Sequence, residues 1–97
     1  MDRGEVITKL LALEPSLRTR GIEALYLFGS TARGGAASNS DIDLIFELEP
    51  GARLGLGYFE IKQAMADALG RPIDLTTFDG LHLLIREEVR REAVRIF

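Results

Sequence analysis

At 97 residues the chain has room for one domain and no more, and its 46% hydrophobic composition suits a folded protein rather than a disordered one. With no cysteine and one histidine, His82, it is not equipped for disulfides, thiolate zinc sites, cysteine nucleophiles or a His-based metal cluster, so its chemistry falls to carboxylates, arginines, hydroxyls and backbone amides. A net charge of −3 argues against a stand-alone nucleic-acid binder, no apolar run approaches the roughly 18 residues of a membrane span, and the opening Met1-Asp2-Arg3-Gly4-Glu5 lacks the marks of a signal peptide, so the expected location is the cytoplasm.

The first predicted element is a helix over residues 4–17. Val6, Ile7, Leu10, Leu11 and Leu17 recur there at helical spacing, with Pro15 ending or bending it. Gly21 breaks the chain. Residues 22–28 read as a strand whose nearly continuous apolar run, Ala24-Leu25-Tyr26-Leu27-Phe28, suits burial on both faces. It stops at Gly29-Ser30. A short helical turn, Thr31-Ala32-Arg33, follows, closed by Gly34-Gly35, and 36–40 is a loop of small polar residues.

Residues 41–48 alternate as a strand: Ile42, Leu44, Phe46 and Leu48 on one face, Asp41, Asp43, Ile45 and Glu47 on the other. After a Pro50-Gly51 turn, 56–69 reads as a helix carrying Tyr58, Ile61, Met65 and Leu69 on one side, with Gly70 as its cap. A third strand, 71–77, contains Asp74. The last helix is expected from 81 or 84 to 96, with Ile85, Val89, Ala93 and Ile96 or Phe97 as its apolar stripe. Its alternating Arg and Glu residues read as a solvated face. The fold class is therefore α/β (α+β): one domain over 1–97, a small mixed sheet of about three strands, with helices packed mainly on one face.

The chemistry concentrates in Gly29-Ser30, ten further residues, then Asp41-Ile42-Asp43. Two carboxylates on one face of one strand repel each other, and a cation between them removes that cost. Asp74, on a neighbouring strand, can add a third. Three carboxylates without His or Cys suit Mg²⁺, or Mn²⁺, better than zinc. Gly29-Ser30 lies where a strand gives way to a helical turn, whose backbone N–H groups can meet a phosphate closely. The Ser30 hydroxyl and Arg33 can add bonds to the same anion. Blander readings stand beside these. Asp41 can cap its strand, Gly29-Ser30 can be a plain capped turn and Arg33 a surface arginine. Asp79, the rival third carboxylate, reads as part of a turn before Gly80. His82 reads as a surface or half-buried residue with no catalytic role, Glu47 as solvent-exposed, and Tyr26 and Tyr58 as core or rim aromatics.

The run Leu27-Phe28-Gly29-Ser30-Thr31-Ala32-Arg33-Gly34, with Ser40-Asp41-Ile42-Asp43-Leu44 and a later Asp74, resembles the DNA polymerase beta-like nucleotidyltransferase superfamily, and its minimal nucleotidyltransferase branch in particular. The resemblance covers the chain from about residue 5 onward. It implies a nucleotidyltransferase fold and two Mg²⁺ ions held by Asp41, Asp43 and Asp74. It also implies a nucleoside triphosphate, by default ATP, bound at Gly29, Ser30 and Arg33, and release of pyrophosphate as the nucleoside monophosphate passes to an acceptor hydroxyl. Larger relatives carry an extra domain for base or acceptor. A chain this short implies a partner protein or a homo-oligomer instead. Minimal members are typically paired with a small HEPN-domain protein in toxin–antitoxin modules, which implies a protein hydroxyl, often a tyrosine, as acceptor. The alternatives are an antitoxin that merely occludes its partner and a subunit modifying a small molecule such as an aminoglycoside.

Overall fold

The computed structural model describes residues 2–32 and 41–97. It opens with two helices, α1 (Arg3–Leu11) and α2 (Glu14–Thr19), where the sequence suggested one bent element. Asp2 caps α1, its carboxylate accepting from the Glu5 N–H at 2.8 Å. Pro15 stands in the first turn of α2, where a helix has no need of its N–H, so the proline starts the second helix rather than ending the first.

Then come β1 (Ile22–Phe28), the short α3 (Gly29–Ala32), β2 (Ile42–Leu48), α4 (Gly57–Leu69), β3 (Ile73–Thr76), α5 (Leu83–Glu92) and β4 (Val94–Arg95). Gly70 ends α4 with φ +67°, the left-handed cap expected of it. Residues 33–40, and with them the expected turn at Arg33 and the expected loop 36–40, lie outside the described residues.

The described strands form one mixed sheet in the order β3-β2-β1-β4. β1 is antiparallel to β2 and to β4, while β2 and β3 run parallel. A parallel pair needs a long crossover, and α4 lies in that connection. The fourth strand corrects the expected count of about three. The final helix ends at Glu92, and Ala93 turns extended (φ −64°, ψ 138°). The chain then joins the free edge of β1, with the Ile96 N–H donating to the Leu25 carbonyl and the Leu25 N–H to that of Phe97. Ile96 is buried through the sheet, not through a helical stripe. Ile85 is exposed, Val89 and Ala93 are only half-buried, and α5 buries none of its residues. Spacing alone could not separate the two cases, since 89, 93 and 96 satisfy a helical period while 94 and 96 satisfy a strand's.

The main core lies on one face of the sheet. There Leu25, Leu27, Ile42 and Leu44 pack with Val6 and Leu10 of α1, Leu17 of α2, and Ile61 and Met65 of α4. The expected packing of helices on one face holds. So does the alternation along β2: Ile42, Leu44 and Phe46 join this core, and Asp43, Ile45 and Glu47 face away from it. On that second face Phe78 packs edge-on against Tyr26, with ring centroids 5.2 Å apart, and the Arg90 guanidinium lies 4.2 Å over the Phe78 ring. This cover is partial, so Tyr26 and Phe28 are half-buried and β1 is not enclosed on both faces as its apolar run suggested. No described helix is long and apolar enough to cross a membrane.

Candidate active site

The sheet register sets Phe28, Asp43 and Asp74 side by side in one row across β1, β2 and β3. Asp43 is the half-buried centre of that row. Asp74 is exposed on one flank, and Asp41 is exposed just before β2 begins. Asp74 is the direct register partner of Asp43, so the two carboxyl groups stand side by side on one face of the sheet. The Asp43 carboxyl is accordingly pushed above the usual carboxylate range. Burial is the first cause, followed by the charges of Asp74 and Asp41 and then by hydrogen bonding with the neighbouring Asp74. The parallel pairing of β2 with β3, which spacing along the chain does not reveal, is what brings Asp74 to Asp43. The rival Asp79 sits in the turn after β3, with Arg86 Nη1 3.9 Å from its carboxylate.

On the other flank Gly29 closes against Asp43. Its φ is +75°, and a Cβ added there would fall less than 3.0 Å from Asp43 Oδ2. Glycine is therefore required twice, for backbone conformation and for space. Ser30 belongs to α3, but its side chain, like all of Arg33, lies outside the described residues. The α3 turn is held from behind. Thr31 and Ala32 are buried, and Arg3 Nη1 donates to the Ala32 carbonyl at 3.1 Å. Nothing in the sequence marks this tie, which spans 29 positions.

This donor set fits a hard divalent cation. It is all carboxylate oxygen, it has no His or Cys, and its central member is held toward the protonated form by burial and then by the charges of Asp74 and Asp41, which a cation would offset. Among the described residues no trio of acidic side chains is already closed around one ion position. The side chains of Asp41 and Asp74 are exposed.

The residues set aside as bland have definite partners. Glu47 is half-buried rather than solvated and accepts a hydrogen bond from the Tyr26 hydroxyl at 2.5 Å. That bond, aided by burial and by the Glu47 charge, raises the Tyr26 pKa. In Glu47→Gln, Tyr26 should titrate closer to the ordinary phenol value of about 10. Ultraviolet difference titration against a Tyr26→Phe control reads this directly, and an unchanged curve would disprove the pairing. His82 is exposed, and its Nδ1 accepts from the Leu84 N–H at 3.1 Å, so its work is to cap α5. Tyr58 is a rim aromatic whose hydroxyl donates to the Leu75 carbonyl.

A family model described as "Polymerase beta, Nucleotidyltransferase" matches residues 12–97. Along the chain, a "putative protein adenylyltransferase" of Methanocaldococcus jannaschii is 30% identical over 96 residues, 99% of each protein. "Protein adenylyltransferase MntA" of Thermococcus cleftensis is 32% identical over 95% of this chain and 93% of that relative. Among solved structures, one described as a "putative minimal nucleotidyltransferase" superposes with a TM-score of 0.81 at 34% identity, covering 97% of this chain and 95% of the other. A second, described as a "toxin-antitoxin with AMP-PNP", superposes with a TM-score of 0.72 at 25% identity, covering 94% of this chain and 72% of the other.

Proposed function

Since this chain belongs to the polymerase beta nucleotidyltransferase family, and within it to the minimal nucleotidyltransferase branch, we propose that it transfers AMP from ATP to a hydroxyl of a partner protein, as the antitoxin of a pair whose toxin is a HEPN-domain protein. The chain is a nucleotidyltransferase. The observation that carries the reading is the row of Asp43 and Asp74 with Gly29 closed against Asp43. A protein acceptor is supported by the names of the two relatives, and a toxin partner and an adenine nucleotide by the toxin–antitoxin structure with AMP-PNP. The HEPN partner rests on the resemblance of the Gly29-Ser30 and Asp41-Ile42-Asp43 segments.

In this reading Asp41, Asp43 and Asp74 would hold two Mg²⁺ ions, which supply charge neutralisation at the attacking and leaving oxygens. The Gly29-Ser30 turn positions the triphosphate. Asp74, the exposed flank of the row, takes the proton of the acceptor hydroxyl. A bond forms from that oxygen to the α-phosphorus, the bond from the α-phosphorus to the bridging oxygen breaks, and pyrophosphate leaves. Catalysis is then mostly positioning and electrostatics.

The test incubates the purified protein with Mg²⁺ and α-labelled ATP, with and without the protein encoded beside it, for wild type and Asp43→Ala. Label on the neighbour with wild type alone is the expected result. Tight binding to the neighbour that survives Asp43→Ala, without any label transfer, would replace the reading with an occluding antitoxin.

A further inference from the structure

We propose that the cleft between α4 and the start of β3 is the docking surface for the acceptor segment of the partner protein. That segment is a short stretch presenting its hydroxyl next to an apolar or aromatic side chain and an acidic one. The proposal rests on the protein-acceptor reading and names where that acceptor enters.

Helix α4 carries two stripes. Ile61, Met65 and Leu69 face the core. Phe59, Lys62, Gln63 and Ala66 stand at i, i+3, i+4 and i+7, the spacing of a second continuous face. They line an open cleft of about 480 Å³ together with Asp41, Pro72 and Ile73. That volume admits a few side chains and not a domain. Phe59 is 64% exposed although its ring packs edge-on against Tyr58, so it offers a fixed apolar surface to solvent. Lys62 is the one cation among the lining residues.

The cleft adjoins the carboxylate row. Asp41, two residues before Asp43, lines it, and the Ile42 N–H donates to the Pro72 carbonyl at 2.9 Å, which ties the cleft wall to the start of β2. Direction decides what enters there. Across the sheet Gly29, at the end of β1, and Asp74, on β3, flank Asp43 from opposite sides. In an in-line displacement the entering oxygen and the departing pyrophosphate lie on opposite sides of the phosphorus. With the pyrophosphate end at the Gly29 turn, the hydroxyl comes from the β3 side; the cleft opens there at the start of β3, with Asp41 at its edge, while α4 itself packs on the sheet face opposite Asp43. The apolar side chains of Leu83 and Leu84 are more exposed, at 71% and 84%, but they follow the far end of β3, while Asp74 is the second residue of that strand.

The test measures label transfer from α-labelled ATP at saturating MgATP, with the adjacently encoded protein as the varied acceptor. Wild type is compared with Phe59→Ala and Lys62→Glu. Phe59 is exposed and alanine favours helix, so the first variant should fold, and its circular dichroism checks this. The expected result is a KM for the acceptor raised about tenfold or more in each variant, with kcat at saturation and Kd for MgATP close to wild type. An unchanged acceptor KM would overturn the proposal. A raised Kd for MgATP would also overturn it, by making the cleft the seat of the nucleotide. If wild type labels the acceptor and Asp43→Ala does not, while both cleft variants match wild type, the docking surface fails and the proposed activity stands. If wild type labels nothing, both fail together.

Discussion

Asp43→Ala loses nucleotide transfer by at least about 10³-fold at saturating ATP. Asp43 stands at the centre of the row, with Asp74 on one flank and the Gly29 turn on the other, so no other described carboxylate can take its place. A neutral isostere at the same position, Asp43→Asn, moves stability the opposite way. The Asp43 pKa is raised in the folded state, so the folded chain binds more protons than the unfolded one between the ordinary carboxylate range and that raised value. Stability in the absence of metal therefore falls as pH climbs through that window, and the deficit persists above it. A neutral isostere removes the deficit. Without divalent cations at pH 7, Asp43→Asn should melt a few degrees higher than wild type, with the gap closing toward low pH. Added Mg²⁺ should raise the wild-type Tm more than that of the variant, because binding to the native state alone stabilises it. Calorimetry across pH, with and without Mg²⁺, reads all of this. A lower metal-free Tm for Asp43→Asn at pH 7 would show that the ionised Asp43 carboxylate is not destabilised by its burial and its acidic neighbours.

Gly29→Ala damages both fold and chemistry. A left-handed conformation costs a residue with a Cβ about 1–3 kcal/mol, and here the added methyl also meets the Asp43 carboxylate. The clash can be relieved only by moving Asp43 or the turn, and either displaces the row. For a domain of this size about 1 kcal/mol lowers Tm by roughly 4–8 °C. Transfer should fall by about 10²-fold or more, as it does when catalytic groups shift by an ångström. Gly51→Ala is the control. Gly51 also has a positive φ, at +82°, but a Cβ there meets nothing within 4 Å, so it should lose stability without losing activity. Equal activity losses in the two variants would show that backbone strain, not contact with Asp43, governs position 29.

Most of the site was legible because its logic is local. Gly29-Ser30 at a strand end and Asp41-Ile42-Asp43 on alternating positions are statements about neighbours in the chain, and strand periodicity alone puts both carboxylates on one face. The same holds for the Gly70 cap and for the core positions of β2 and α4. What the chain could not announce depends on distant contacts. β4 was hidden because residues 89–96 satisfy two periods at once, and only the free edge of β1 chooses between them. Glu47 looked solvated because Tyr26 is 21 positions away, and Arg3 carried no motif because Ala32 is 29 away. The stripe of Phe59, Lys62, Gln63 and Ala66 is readable as a helical face, yet its relation to Asp41 exists only once β2 and β3 pair. Sequence by itself determined which groups are present and which face of each element they occupy, since both follow from covalent geometry and the helix and strand periods. Tertiary structure decided which of those faces meet, because strand pairing is settled by backbone hydrogen bonds and burial between segments far apart in the chain.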